Sequence, residues 1–99
     1  MIISIDFDDT FTRSPQAFTE VIQTLRDYGY FIICTSSRVD NRRNRLQLKE
    51  ALPHDIDIFL TGGQAKRDFL EQKGYLVDIW VDDLPQDIVH KKIWRNKPK

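Results

Sequence analysis

The sequence predicts an α/β domain: a mainly parallel sheet of about four strands, with helices on both faces and no cap domain. Two observations carry this expectation. Strand-like and helix-like patterns alternate along the chain with short connections between them. Carboxylate and hydroxyl residues then gather just after the strand patterns, which is where an open parallel sheet binds its ligands. Ninety-nine residues suit one core rather than two, so residues 1–94 read as a single domain and 95–99 as a basic tail.

The elements follow in order. Met1 to Asp6 reads as a buried strand, because only Ser4 interrupts its aliphatic run. Ser14-Pro15 looks like a helix start, a capping hydroxyl followed by proline at the first helical position. Phe18, Val21, Ile22 and Leu25 then form one apolar stripe, and Gly29 ends the helix. Tyr30 to Cys34 is the second strand. Asp40 is placed to cap a helix running to about Leu52, with Leu46 and Ala51 inward and Pro53 closing it. Ile56 to Leu60 is the third strand, followed by a Thr61-Gly62-Gly63 turn. Gln64 to Lys73 reads as helical with Phe69 and Leu70 inward. Leu76 to Val81 is the fourth strand. Leu84-Pro85 opens a last helix containing Ile88, Val89 and Ile93-Trp94. Four such β-α units describe a three-layer, Rossmann-like fold.

Composition narrows the class. Fifteen basic and fifteen acidic side chains cancel, so net charge names no partner. The single cysteine, Cys34, lies in an apolar run and suits a reducing compartment as a small core residue. No signal peptide and no membrane-spanning stretch is legible, so the expected location is cytoplasmic.

Four polar groups converge on one predicted sheet edge. Asp6, Asp8, Asp9 and Thr10 follow the first strand, and Thr35, Ser36 and Ser37 follow the second. Lys66 opens the third helix region, and Asp82 and Asp83 follow the fourth strand with Asp87 one turn on. Singly, each is more often a cap, a turn or a solvated charge. Carboxylates crowded together repel unless a cation joins them, and a hard dication with oxygen ligands, Mg²⁺ first, fits that need.

These residues resemble the motifs of the haloacid dehalogenase (HAD) superfamily over nearly the whole chain. Asp6-Phe7-Asp8-Asp9-Thr10 is similar to its first motif, and the run Phe31 to Thr35 to its second. Lys66 fits the third, and Val81-Asp82-Asp83 with Asp87 fits the acidic fourth. The resemblance implies a phosphatase that works through an aspartyl-phosphate. Asp6 would be the nucleophile, and Asp8 the acid and then the base. Thr35, or Ser36 in its place, would donate to a phosphoryl oxygen, and Lys66 would neutralise charge. Mg²⁺ would be held by Asp6, Asp83 and the backbone carbonyl of Asp8. Asp82 and Asp87 would support from behind, although the choice of direct ligand between Asp82 and Asp83 stays open at this point. Thr10 and Arg38 complete the expected substrate contacts.

The lack of a cap implies an open site, as in members that act on large substrates or borrow a neighbouring subunit as a lid. Arg38, Arg42, Arg43, Arg45 and Lys49 cluster after the second motif. Lys91, Lys92, Arg95, Lys97 and Lys99 follow near the end. Such clusters attract polyanions, which points to a phosphomonoester on a nucleotide or nucleic-acid end. No aromatic residue interleaves with the arginines, so a solvated helix face is the stronger reading of the same residues. A homodimer through the fourth strand, near Trp80 and Trp94, is a further expectation. Two rivals remain. A phosphoacceptor receiver domain needs an aspartate after the third strand, where Thr61-Gly62-Gly63 stands. A catalytically silent binding or regulatory module on the same fold is the alternative function.

Overall fold

The computed structural model describes residues 1–90. Its elements are β1 (Ile2–Ile5), a 3₁₀ turn (Phe11–Arg13), α1 (Pro15–Asp27), β2 (Phe31–Ser36), α2 (Arg42–Ala51) and β3 (Asp57–Leu60). Then follow α3 (Lys66–Gln72), β4 (Ile79–Val81) and α4 (Gln86–Val89). The expected helical residues Ile93-Trp94, the basic tail and Lys91 and Lys92 lie outside the described residues.

The four strands form one sheet in the order β3-β2-β1-β4, and every pairing is parallel. Ile3 sits opposite Ile32 and Ile79, and Ser36 opposite Leu60. The chain steps outward from β1 to β2 to β3, then returns to the other side of β1 for β4. β1 is therefore central, and the reversal of strand order falls beside it, the place where α/β sheets open a ligand crevice. Among the described residues β3 and β4 are the edge strands, β4 as the sequence suggests.

Side chains of β1 alternate between two environments. Ile3 and Ile5 join Ile22 of α1 and Leu48 of α2 in one cluster, with Phe7, Phe11, Ile32 and Cys34 also buried there. Ser4 points the other way and is 1% exposed, a polar residue inside a strand. Its hydroxyl lies 2.7 Å from that of Thr35, so the two satisfy each other within the sheet.

Several local expectations change. Ser14 makes no side-chain cap; Pro15 alone carries the start of α1. Within that helix Val21 is exposed while Ile22 is buried, so the inward stripe is narrower than the pattern suggests. In α2 the cap is Asn41, whose side chain accepts the Asn44 backbone N–H at 2.8 Å. Asp40 instead pairs with Arg45. The helix thereby turns Asn44 and Leu48 inward, while Leu46 and Ala51 face solvent. β4 is only three residues long, and Leu76 is exposed before it begins. α3 starts at Lys66, after Gln64. Gly29 carries φ 89°, the left-handed turn that lets the chain leave α1 for β2. No helix among the described residues is long and apolar enough to cross a membrane.

Candidate active site

Asp6 continues the path of β1 by one residue, its backbone N–H donating to the Val81 carbonyl at 2.9 Å. The chain then turns sharply. Phe7 and Phe11 anchor the turn in the core, their rings stacked 5.9 Å apart. Asp9 adopts φ 60°, a left-handed conformation that favours glycine and that aspartate tolerates. Its N–H donates to the Thr12 hydroxyl at 3.0 Å. With Phe7 pinned inward, Asp6 and Asp8 on either side face the carboxyl end of the sheet.

Lys66, the first residue of α3, is 1% exposed. Its ammonium donates to Asp6 Oδ1 at 2.9 Å and also to Asp82 Oδ2. The other oxygen of Asp82 accepts the Leu84 N–H at 2.9 Å, so this carboxylate is engaged at both ends. The Thr10 hydroxyl lies 3.2 Å from Asp6 Oδ2 and 3.3 Å from Asp83 Oδ1. Having one proton, it donates to one of them at a time. Carboxylate oxygens of Asp6, Asp82 and Asp83 fall within 4.8 Å of one another.

Burial pushes the Asp6 carboxyl up to about 7; the Lys66 charge offsets part of this, and contact with Asp83 adds to the rise. Burial acts to lower Lys66, but the charge of Asp6 and the hydrogen bond to Asp82 outweigh it and hold the ammonium above its usual range. One ammonium thus meets two of the three clustered carboxylates. That donor set, hard oxygens with negative charge, could hold a metal cation.

Asp8 meets a different partner. Arg38 grips it with two parallel hydrogen bonds, Nε to Oδ2 and Nη2 to Oδ1, both 2.9 Å. The guanidinium also lies over the Phe7 ring, 5.3 Å from its centre.

β2 runs on through Thr35 and Ser36, past the expected end at Cys34, and the hydroxyl residues there divide. Thr35 is fully buried and spends its hydroxyl on Ser4. The Ser36 hydroxyl accepts the Arg38 backbone N–H at 3.2 Å. Ser37 reaches the Asp87 carboxylate at 3.4 Å. Asp6, Asp8, Ser37, Arg38, Asp83 and Asp87 surround a narrow cleft of about 20 Å³, room for about one water. The structure thus gathers the expected Asp6, Asp8, Arg38, Lys66, Asp82, Asp83, Asp87 and Thr10 at one sheet edge. Thr35 lies below that edge rather than on the cleft.

The arginine cluster is less uniform than its sequence. Arg38 pairs with Asp8 and Arg45 with Asp40. A concavity of about 640 Å³ runs along β3, away from the carboxylates. Phe59, Phe69 and Tyr75 line it with Arg45, Lys49 and Lys73, an aromatic company absent from the linear sequence. Asp40, Asp55 and Asp57 line it too and balance those cations, which disfavours a polyanion there. The residues that sequence reasoning missed are Asn44 and Gln47, which bind Arg38 from α2. Their only signal was their mutual helical spacing in the segment after the Ser-Ser-Arg stretch. Compared with family models, curated proteins and solved structures, the chain matches none.

Proposed function

We propose that this protein is a Mg²⁺-dependent phosphomonoesterase that works through an aspartyl-phosphate, in the manner of the HAD-like phosphatases its motifs resemble. The observation that carries the reading is the buried Lys66 bridging Asp6 and Asp82, with Asp83 close enough to share a cation. A strand-end acidic turn that only capped a helix would not bury an ammonium among carboxylates. The finer fold, helices covering both faces of the sheet, belongs to the same proposal. It is supported by the β1 side chains, where Ile3 and Ile5 pack with α1 and α2 while Ser4 and Asp6 face Thr35 and Lys66.

In the first step an Asp6 carboxylate oxygen attacks phosphorus, and the bond from phosphorus to the ester oxygen breaks. Asp8 gives its proton to that departing oxygen. Water then attacks phosphorus, Asp8 takes the water's proton, and phosphate leaves with Asp6 restored. Lys66 stabilises the negative charge gathered at Asp6 throughout. Asp6 and Asp83, with the Asp8 backbone carbonyl, would hold Mg²⁺, whose charge lets an anionic carboxylate approach an anionic phosphate. Asp83 is the better ligand, because it lines the cleft with Asp6 and Asp8 while Asp82 does not. Ser37 and Arg38 line the cleft and are placed to meet phosphoryl oxygens. Thr35 would have to exchange Ser4 for the phosphate to take the part its position suggests. For the ester's alcohol the proposal is a nucleotide or nucleic-acid end; its support is the basic run around Arg42 and Arg43, of which the solvated helix face is the stronger reading. The site would lie in a cytoplasmic protein.

One observation favours the second reading, a silent binding module. Both oxygens of Asp8 are taken by Arg38, and the cleft is too small for a phosphate. Phosphate release from p-nitrophenyl phosphate, nucleotides and end-phosphorylated oligonucleotides, with an Asp6→Asn control, separates the two. Release that needs both Mg²⁺ and Asp6 supports the enzyme. A folded, Mg²⁺-binding protein that releases nothing supports the module.

A further inference from the structure

Arg38 is held from two sides. On one side it meets Asp8 through Nε and Nη2. On the other, Nη1 donates to Asn44 Oδ1 at 3.2 Å and to Gln47 Oε1 at 2.7 Å. Arginine carries five N–H donors. These contacts engage four of them; the fifth, on Nη2, has no partner among the described residues, and Arg38 lines the cleft.

The support behind Arg38 is itself built. Asn44 is 8% exposed. It donates from Nδ2 to the Val39 carbonyl at 2.9 Å, so its amide is oriented with the oxygen toward Arg38. Its backbone N–H is capped by Asn41. Gln47 stands three residues further along α2, on the same helix face. Phe7 supports the flat side of the guanidinium. A planar fork fixed at Nη1 has little freedom left in the plane, so the carboxylate it grips is fixed too.

From this geometry we infer that Gln47, with Asn44, is a positioning residue: it acts through Arg38 to fix the Asp8 carboxylate, whose oxygens each keep a second lone pair for the proton that goes to the leaving oxygen. The inference rests on the phosphatase reading for its kinetic consequence, but the clamp is a property of the fold. Gln47 does not line the cleft and is exposed, so changing it alters neither the carboxylate cluster nor the core. Misplacing a proton-transfer group by a fraction of an ångström is costly to turnover while leaving ground-state binding nearly intact.

The test compares the parent chain with Gln47→Met, which keeps the length and loses the acceptor, and Gln47→Glu, which keeps the acceptor. Arg38 Nε–H exchange is followed by NMR on arginine-labelled protein, beside kcat and KM for an alkyl phosphate and for p-nitrophenyl phosphate with Mg²⁺. In the Met variant the Nε–H exchanges about tenfold faster, from loss of one charge-assisted bond. Its kcat on the alkyl ester falls about tenfold with KM within about twofold. The nitrophenyl ester, whose leaving oxygen needs no proton, is affected less. The Glu variant restores both readouts, and all three proteins are folded at the assay temperature. A Met variant with the parent's exchange rate overturns the inference, as does a Glu variant as impaired as the Met one. A parent that releases phosphate from neither ester sinks the phosphatase reading alone, and the exchange rates still decide whether Gln47 fixes Arg38.

Discussion

The Thr10 hydroxyl and the Asp83 carboxylate, 73 positions apart in sequence, stand 3.3 Å from each other. Through the same hydroxyl Thr10 reaches Asp6. The turn after β1 and the turn after β4 are therefore joined by one side chain, across neighbouring parallel strands whose order reverses there. Lys66 makes the second join, from α3 to Asp6 and Asp82. Three separate segments reach a common point because three parallel crossover connections return the chain to one end of the sheet.

Removing that second join has a defined cost. Lys66→Met leaves Asp6 and Asp82 near each other with no ammonium between them. Breaking a buried ion pair from one side typically costs about 3–5 kcal/mol, and a loss of that order is expected in urea unfolding. Adding Asp82→Asn removes part of the repulsion, so the double variant is more stable than the sum of the single effects predicts. Phosphate release by Lys66→Met falls by at least ~100-fold, as for loss of a preorganised charge. A Lys66→Met protein as stable as the parent would show that the bridge contributes nothing to the fold.

The Asp6 carboxyl has a pH signature in the metal-free protein. Its folded-state pKa is raised from 3.8 to about 7 by burial. Between those values the folded state binds more protons than the unfolded one, so stability falls as pH rises. The contribution is fully present below pH 4 and is lost by about pH 7. Lys66 is also raised, so its slope has the same sign, but it titrates far higher and contributes nothing in this window. Urea midpoints from pH 4 to 7.5 should decline without Mg²⁺, and the Asp6→Asn protein should lose most of that decline. Saturating Mg²⁺ should flatten the slope too, since it binds the ionised form of the folded protein. An identical slope in parent and Asp6→Asn would place the titration on another group.

The meeting of Asp6, Lys66, Asp82 and Asp83 was legible in the sequence, because apolar strands with short connections dictate where their ends lie. The parallel sheet was legible for the same reason. The inward face of α2 was not. Its first residues are nearly all polar, so Leu46 looked like the core position. The register is set by the Asn41 cap one residue past Asp40, and it selects Leu48. β4 was overread because Leu76 extends the apolar run, while pairing with β1 begins only at Ile79. The grip of Arg38 on Asp8 had no local signal: it depends on side-chain direction across 30 positions. Thr35 was readable as a strand-end hydroxyl, but its commitment to Ser4 arises from the parallel register of β1 and β2.

Cys34 should be chemically silent. It is 1% exposed, and burial, with the nearby Asp6 charge adding to it, pushes the thiol far above its usual range. Thiolate is the reactive form. Ellman's reagent at pH 8 should therefore label the native protein no faster than it unfolds, and label it at once in urea. Rapid native labelling would mean that the β2 region opens locally, well below the cost of global unfolding.

The Ser4–Thr35 pair tests which hydroxyl serves the substrate. Thr35→Val preserves shape and strands the Ser4 oxygen, buried at 1% exposure. The expected cost is about 1–3 kcal/mol for an unsatisfied buried group. Adding Ser4→Ala removes the orphan, so the double variant should recover most of that loss and show clear coupling in unfolding measurements. Because the double variant keeps its fold, its kinetics speak to the site alone. Unchanged KM and kcat for a phosphate ester would leave the phosphoryl contact to Ser37 and Arg38, which line the cleft. Raised KM, with stability recovered, would instead mean that Thr35 leaves Ser4 when substrate arrives, and that the pairing seen here is the resting state of a substrate-binding hydroxyl.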